Sequence, residues 1–337
     1  MHTGALPATM QAIVQRRYGE VPEDVLDVAR LPIPTAGPHE VLVRVRAASV
    51  DRGTWHLMAG RPYLARAIGF GLRRPKTPVP GLTLAGIVEA VGTEVSAVSL
   101  LRPGNEVFGT GRGTFAEFAV ARADRLVVKP ANVSFVDAAT VGDSGITALQ
   151  AIRDVGKVRG GERVAILGAS GGVGTFAVQI AKAYGAHVTG VASGAKLDLL
   201  RTIGADDVID YRREDFTDGT RRFDVVVDIA GNRPLRRLRR ALTRNGRLVV
   251  TGGENGGPVL GGTERNMAAH LLSPFVTQRL RAFVIRNRAE DVATVGALIA
   301  EGVITPAVDR TFALDEAAAA VRYLVDGRVR GKLVIAL

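Results

Sequence analysis

The chain has 337 residues, 47% of them hydrophobic and 23% charged, with a formal net charge of +11 and no cysteine. That length suggests two domains, with ample apolar content for a sizeable core. Lack of cysteine excludes disulfides, a cysteine nucleophile and thiolate zinc sites, and no run of about eighteen apolar residues suggests a membrane-spanning helix. A soluble cytoplasmic protein without membrane contact is expected. The opening MHTGALPAT has no apolar signal core and reads as a disordered lead-in, with Met10 an alternative start. The positive charge could signal nucleic acid. The arginines are dispersed, however, and the densest cluster, 233–247, interleaves Leu235, Leu238 and Leu242 as in an amphipathic surface helix. Aromatic residues are only 5% and form no stacking platform, so a solvated basic surface is expected and nucleic acid is not an expected partner.

From Met10 to about Phe135 the pattern is β-rich. Short strands are predicted at 11–15, 40–47, 86–91, 106–108, 116–121 and 126–128, punctuated by Pro and Gly. They predict a mostly antiparallel, barrel-like domain. Residues 51–80 interrupt it with Arg66, Arg73, Arg74 and Lys76, either a functional lid or a surface excursion. A helical stretch over 135–155 leads to Val164-Ala165-Ile166-Leu167, a strand buried on both faces. After a glycine-rich turn, apolar residues recur at helical spacing through Tyr184, Gly185 sits at a helix C-cap, and a second strand spans 187–192. Strand, turn, helix and strand make a right-handed βαβ unit. Strands at 207–209, 224–228, 247–251 and 282–285 then alternate with helical patterns, which predicts a doubly wound parallel sheet. A strand at 308–312, a helix at 315–325 and a last strand at 332–336 return the tail to the first domain. The fold expected is α/β: a β-rich substrate domain of residues 1–134 and 305–337, and a dinucleotide-binding domain of residues 135–304.

Ala169-x-Gly171-x-x-Gly174 is the dinucleotide fingerprint with alanine in first place. The first small residue allows the tight turn, Gly171 lets a pyrophosphate approach the backbone, and Gly174 lets helix and strand pack closely. The pyrophosphate would meet unpaired N–H groups and the positive end of a helix dipole. About twenty residues on, an Asp or Glu would hold the ribose 2′-hydroxyl of NAD. The chain has Ser193-Gly194-Ala195-Lys196 there. A carboxylate would repel a 2′-phosphate, whereas a hydroxyl and an ammonium would accept it; Lys196 as an ordinary solvated lysine is the alternative. NADP(H) is the expected cofactor.

This order of parts resembles the medium-chain dehydrogenase/reductase superfamily over nearly the whole chain. Within it the chain looks closest to the zinc-independent quinone oxidoreductases, zeta-crystallin-like and reticulon-interacting-protein-like. The resemblance is carried by EVLVRVRAASV at Glu40–Val50, WHLMAGRPY at 55–63, PGLTLAGIVEAVG at 80–92, GTFAEF at 113–118, GITALQAI at 145–152, GASGGVG at 168–174, GRLVVTGG at 246–253 and GKLVI at 331–335. It implies a Rossmann domain joined to a GroES-like one, and a homodimer formed through the last strand of the nucleotide domain, here 282–285. It also implies reduction of a quinone, enone or enal by NADPH. Zinc is not expected. The zinc branch needs four closely spaced cysteines, then a cysteine after the 40–50 strand and a His-Glu pair after the proline-glycine, where this chain has Leu82-Thr83.

In related reductases an Asn-x-x-Asp-x-Tyr stretch lines the nicotinamide pocket. The matching positions here are Asp51, Thr54 and His56, each a departure. His56 could donate a proton or merely pack beside Trp55. Tyr63 is a second candidate donor, or a phenol bonded to backbone. Asp51 could orient the nicotinamide carboxamide or ribose, or cap a turn. The resemblance places Gly171, Gly172, Val173 and Gly174 at the pyrophosphate, and Ser193, Lys196 and Tyr211 at the adenosine 2′-phosphate. It places Thr147, Gly252 and Gly253 beside the nicotinamide. Two other readings stay open: a low-turnover NADPH-binding regulator or RNA-binding protein, motivated by the altered Asp51, Thr54 and His56, and a metal-free NAD-dependent alcohol dehydrogenase.

Overall fold

The computed structural model describes residues 6–95, 101–231, 233–252 and 257–337. One sheet is built around β3 (Glu40–Val50), an eleven-residue strand long enough to hold three partners. It pairs antiparallel with β4 (Thr83–Val91), β6 (Phe118–Arg122) and β15 (Lys332–Ala336). β5 (Glu106–Thr110), β7 (Leu126–Val128) and β14 (Val308–Phe312) complete the order β14-β15-β3-β4-β5-β7, in which only β14 and β15 run parallel. A separate antiparallel pair joins β1 (Thr9–Val14) to β2 (Asp27–Pro32). β1 begins inside the stretch expected to be a lead-in, and Met10 is buried in it. β2 carries no apolar alternation because all its side chains are exposed or half-buried, so its sequence holds no strand signal.

The second sheet is parallel throughout: β8 (Arg163–Leu167), β9 (His187–Ala192), β10 (Asp207–Asp210), β11 (Phe223–Asp228), β12 (Leu242–Val250) and β13 (Arg279–Ala282), in the order β10-β9-β8-β11-β12-β13. Val164, Ala165 and Ile166 of the central strand are fully buried, as a strand covered on both faces requires. The edge strand corrects the expectation at 282–285. Leu280 points into the core between Arg279 and Arg281, whereas Val284 beyond the strand is 86% exposed. The apolar run that suggested a strand follows it instead. The arginine cluster at 233–247 is also shorter as a helix than expected: it covers Leu235–Arg240, and Leu242, though buried, already belongs to β12.

Helix α1 (Arg52–Ala59) leaves the end of β3, and α2 (Gly172–Ala183) leaves the turn after β8. Gly185 takes the left-handed conformation (φ 76°) just beyond α2, as its place in the sequence predicts. Helices α3 (Ala289–Ala300) and α4 (Ala317–Val325) follow. The helical stretch 135–155 alternates α-helix (Phe135–Ala139, Ile146–Leu149) with π-turns (Val141–Gly145, Gln150–Val155). Its Ile146, Leu149 and Ile152 share one apolar cluster with Phe108 of the first sheet, Val164 of the second and Phe176 of α2. The two sheets are thereby fixed against one another, and Gly331 N–H donates to Ser170 O at 2.8 Å across the seam. Among the described residues no helix is long and apolar enough to cross a membrane.

Gly174 is where the turn after β8 and helix α2 pack most tightly. A Cβ there would lie 2.2 Å from Gly168 O and 2.6 Å from Ala169 Cα. Gly174→Ala is expected to lower stability by about 2 kcal/mol in urea denaturation, because backbone must move. Gly160→Ala, whose new methyl would meet only Tyr184 O at 3.7 Å, should stay within about 0.5 kcal/mol of wild type. Equal losses in the two variants would show that the close approach at Gly174 does not matter.

Candidate active site

A cleft of about 760 Å³ runs along the carboxyl ends of the parallel strands, where ligands bind in open α/β sheets. Ser193, Lys196 and Tyr211, beyond β9 and β10, line one end of it. Gly171, Gly172 and Val173 form its floor. Asp51, Arg52, Gly53, Asp143, Ser144 and Lys332 line the part contributed by the start of α1, the π-turn and β15.

Gly171 is the N-cap of α2, so the N–H groups of the helix's first turn have no intrahelical partner and the helix dipole adds positive potential there. A side chain on Gly172 would come within 2.9 Å of Lys332 Cδ and 3.1 Å of Ser144 Oγ. The turn is therefore a bare-backbone cradle, and a dinucleotide pyrophosphate fits it.

Behind the turn lies a buried ionic network. Lys332 is 1% exposed and Asp51 6%. The Lys332 ammonium donates to Asp51 Oδ1, to Ser144 Oγ at 3.0 Å and to Ser49 Oγ at 3.2 Å, which uses all three of its protons. Asp51 also accepts from Ser144 Oγ at 3.0 Å and from Ser49 Oγ at 2.5 Å. Ser49 N–H donates to Thr83 Oγ1 at 3.3 Å, which leaves the Thr83 hydroxyl to donate to Ser49 Oγ at 2.6 Å. Every polar group in this network has a partner, the condition under which buried charge is tolerated. Asp51 is thus the N-cap residue of α1 by position, but its carboxylate makes no capping bond and serves Lys332 instead.

Asp143 sits one residue before Ser144, half-buried on the cleft wall in the π-turn. Burial, and secondarily the Asp51 carboxylate, push its carboxyl up to about 6, with Lys332 pulling the other way. At the other end, Lys196 Nζ donates to the carbonyls of Gly327 (2.8 Å) and Val329 (2.7 Å). Burial holds the Lys196 ammonium below its ordinary pKa; Asp309 opposes this, while Arg330 and Arg212 add to it. An acid does stand near this end: Asp210 Oδ2 lies 2.6 Å from where a Cβ on Gly194 would be. It is held by the Arg212 N–H and paired with Arg213 at 3.7 Å.

The remaining residues singled out from sequence lie outside the cleft lining. His56 Nδ1 is 3.1 Å from Arg61 O, and its ring packs edge-on to Trp55 with centroids 5.0 Å apart. Tyr63 is exposed, its N–H donates to Pro258 O at 2.8 Å, and the Arg66 guanidinium covers its ring at 4.7 Å. Thr54 is buried and its hydroxyl has no partner. Thr147 Oγ1 donates to Asp143 O at 2.8 Å, one helical turn back. Gly174 and Gly252 serve close backbone packing; a Cβ on Gly252 would lie 2.0 Å from Ile229 O. Gly253 lies outside the described residues. Sequence reasoning missed Ser49, Asp143, Ser144 and Lys332. Ser49 and Lys332 sit inside strand patterns and Asp143 and Ser144 inside a helical one, and a charged residue on an otherwise buried face was the available signal.

Residues 37–131 match the model of the alcohol dehydrogenase GroES-like domain, and residues 203–335 that of the zinc-binding dehydrogenase family. The chain is 32% identical to the mitochondrial NAD(P)H oxidoreductase RTN4IP1 of Mus musculus, over 99% of its own length and 90% of that protein's. It belongs to the medium-chain dehydrogenase/reductase superfamily, in the quinone oxidoreductase-like branch. A chloroplast envelope quinone oxidoreductase homolog of Arabidopsis thaliana is 30% identical over 92% of this chain and 93% of the relative. The structure of the quinone oxidoreductase from Coxiella burnetii superposes with a TM-score of 0.83 at 27% identity, covering 98% of this chain and 99% of that one. As a member of this superfamily the chain is an NAD(P)H oxidoreductase.

The zinc in the name of one matching family does not fit this chain's residues. Asp51, after the β3 strand, is already saturated by an ammonium and two hydroxyls, and Leu82 offers no lone pair. Among the described residues no three His, Cys, Asp or Glu side chains cluster as ligands.

Removing the ammonium tests the network. Lys332→Met leaves Asp51 buried and unpaired and should cost about 3–5 kcal/mol in urea denaturation. Adding Asp51→Asn should recover a large part of that loss. If the double variant is no more stable than the single one, the destabilisation comes from lost packing and not from stranded charge.

Proposed function

We propose that this protein is an NADPH-dependent reductase of the conjugated double bond or carbonyl of a quinone, enone or enal. The observation that carries the reading is the single cleft that joins a bare glycine cradle to a phosphate-compatible end and to a buried proton-holding cluster. When bound, the nicotinamide cofactor supplies hydride. Gly171, Gly172, Val173 and Gly174 hold the pyrophosphate through backbone N–H groups and the α2 dipole. Ser193, Lys196 and Tyr211 hold the adenosine 2′-phosphate, with Arg212 and Arg330 adding positive potential. Asp51, on the cleft wall, stands beside the nicotinamide. Asp51, locked by three donors, orients and does not donate. The protein contributes positioning, exclusion of water and a proton. The two candidates for that proton offered by the sequence, His56 and Tyr63, stand outside the cleft lining.

Asp210 beside Gly194 favours one rival, a metal-free NAD-dependent alcohol dehydrogenase, because a carboxylate there could serve a ribose 2′-hydroxyl. Titration with NADPH and NADH side by side separates the two. NADPH is expected to bind at least about tenfold tighter, and Lys196→Ala to erase most of that gap. NADH binding as well as NADPH would revive the rival. No NADPH oxidation across a panel of quinones and α,β-unsaturated carbonyls would sink the reductase reading.

The same reading includes a homodimer joined at the β13 edge, beside which Val284 and Phe275 stand 86% and 84% exposed. Light scattering at micromolar concentration should give twice the chain mass, and Val284→Asp should shift it to one. A monomeric wild type would rule the dimer out.

A further inference from the structure

Reduction of a conjugated carbonyl consumes a proton as well as a hydride, and few side chains along the cleft can supply one. The titratable groups lining it are Asp51, Arg52, Asp143, Lys196, Tyr211, Arg233 and Lys332. Arginine does not release its proton in a protein. Lys196 and Tyr211 stand with Ser193 at the far end. Lys332 has spent all three protons on Asp51, Ser49 and Ser144, and both Asp51 oxygens are occupied by donors from Lys332, Ser49 and Ser144. Asp143 differs. It is open to the cleft on one side, and no described residue donates a hydrogen bond to its carboxyl oxygens. It is carried on a π-turn, a rare element found often at functional sites. Gly53 has no side chain to cover it: a Cβ there would already come within 4.0 Å of Asp143 Oδ2.

We propose that Asp143 is the acid that hands the substrate its proton, working beside the locked Asp51–Lys332 pair. The proposal rests on the reductase reading. As hydride adds to the β-carbon, the Asp143 O–H bond breaks and a C–H bond forms at the α-carbon. The electron pair of the broken O–H bond stays on the carboxylate, which regains a proton from water at the cleft mouth. The substrate is reduced by two electrons and the cofactor oxidised by two.

The electrostatics agree. Asp51 from the end of β3 and Lys332 from β15 are the charges acting on Asp143, and Arg52 of α1 also lines the cleft. β4, β5 and α3, packed on the same turn, bring it Thr83, Gly109 and Val295, none of them charged. With the carboxyl raised to about 6, part of the population holds a proton near neutral pH. A pyrophosphate bound at Gly171–Val173 brings further negative charge and should raise that part, so cofactor binding should take up protons.

Calorimetric titration of the full chain with NADPH at pH 7, in PIPES and in Tris, measures that uptake. Wild type should take up a fraction of a proton, and Asp143→Asn none while still binding NADPH. In steady state with a simple enone, kcat/KM of wild type should hold below pH 6 and fall about tenfold per unit well above it, since the protonated form is the active one. Asp143→Asn should lose that limb and about 100-fold in rate, and Asp143→Glu should restore both uptake and limb. Absence of uptake in wild type overturns the proposal. So does a limb unchanged in Asp143→Asn, or, should that variant not fold, one unmoved in Asp143→Glu. If NADPH binds with uptake but no quinone or enone is reduced, the reductase reading fails and the donor role with it. If reduction proceeds and only the variant profiles disagree, the donor role alone falls.

Discussion

The ion pair between Lys332 and Asp51 is the contact on which the rest of this structure depends. It joins two residues 281 positions apart, one at the start of the last strand and one at the end of the first sheet's central strand. Its stem packs where a Gly172 side chain would be, so the glycine of the cofactor turn, the last strand and the first helix are all positioned by one lysine. Ser144 brings the helical stretch 135–155 into the same network, and that stretch packs both sheets through Ile146 and Leu149. A buried pair with complete hydrogen bonding gives little net stability but strongly disfavours any arrangement that separates its members. Here it selects one relative placement of the two sheets, and the cleft is what that placement leaves open.

The two ends of the cleft use charge differently. At the Ser193 end the groups are half-buried or exposed, and Lys196 is held by backbone carbonyls for which an incoming phosphate can compete. At the Asp51 end the charges are desolvated and locked, and they set the electrostatics of Asp143 without being available themselves. Adaptable recognition at one end and fixed preorganisation at the other suit a protein that must bind a cofactor reversibly and do chemistry on something else.

The parallel sheet was legible because its central strands are buried on both faces and bracket a glycine turn with one mechanical meaning per glycine. β13 was misplaced because an edge strand alternates, Arg-Leu-Arg-Ala, while the eye is drawn to the continuous apolar run after it. β2 had no pattern to find. In the site, Asp51 could be singled out from its place after β3, but its partner lies in GKLVI, where a lysine opening a strand looks like any solvated charge. Asp143 reads as a polar residue within a helix, and only the π-turn shows that it faces the cleft. His56 was singled out because it stands at the last matching position of the Asn-x-x-Asp-x-Tyr stretch and Tyr63 as a phenol that could donate; in the structure α1 turns His56 toward Arg61 O and the Tyr63 N–H bonds Pro258 O.

The six-stranded sheet is inserted in sequence between β7 and β14, and this shapes how the chain acquires its structure. Residues 163–282 can pair among themselves as they emerge, since every strand of that sheet comes from this one stretch. The first sheet cannot. The Ala47–Val50 end of β3 waits for Leu333–Ala336, the pairing of strands farthest apart in sequence among the described residues. Until then an apolar strand, EVLVRVRAASV, carries an open edge that another copy of itself could occupy. The order in which this chain is threaded thus leaves its central strand half-paired until the last strand is in place.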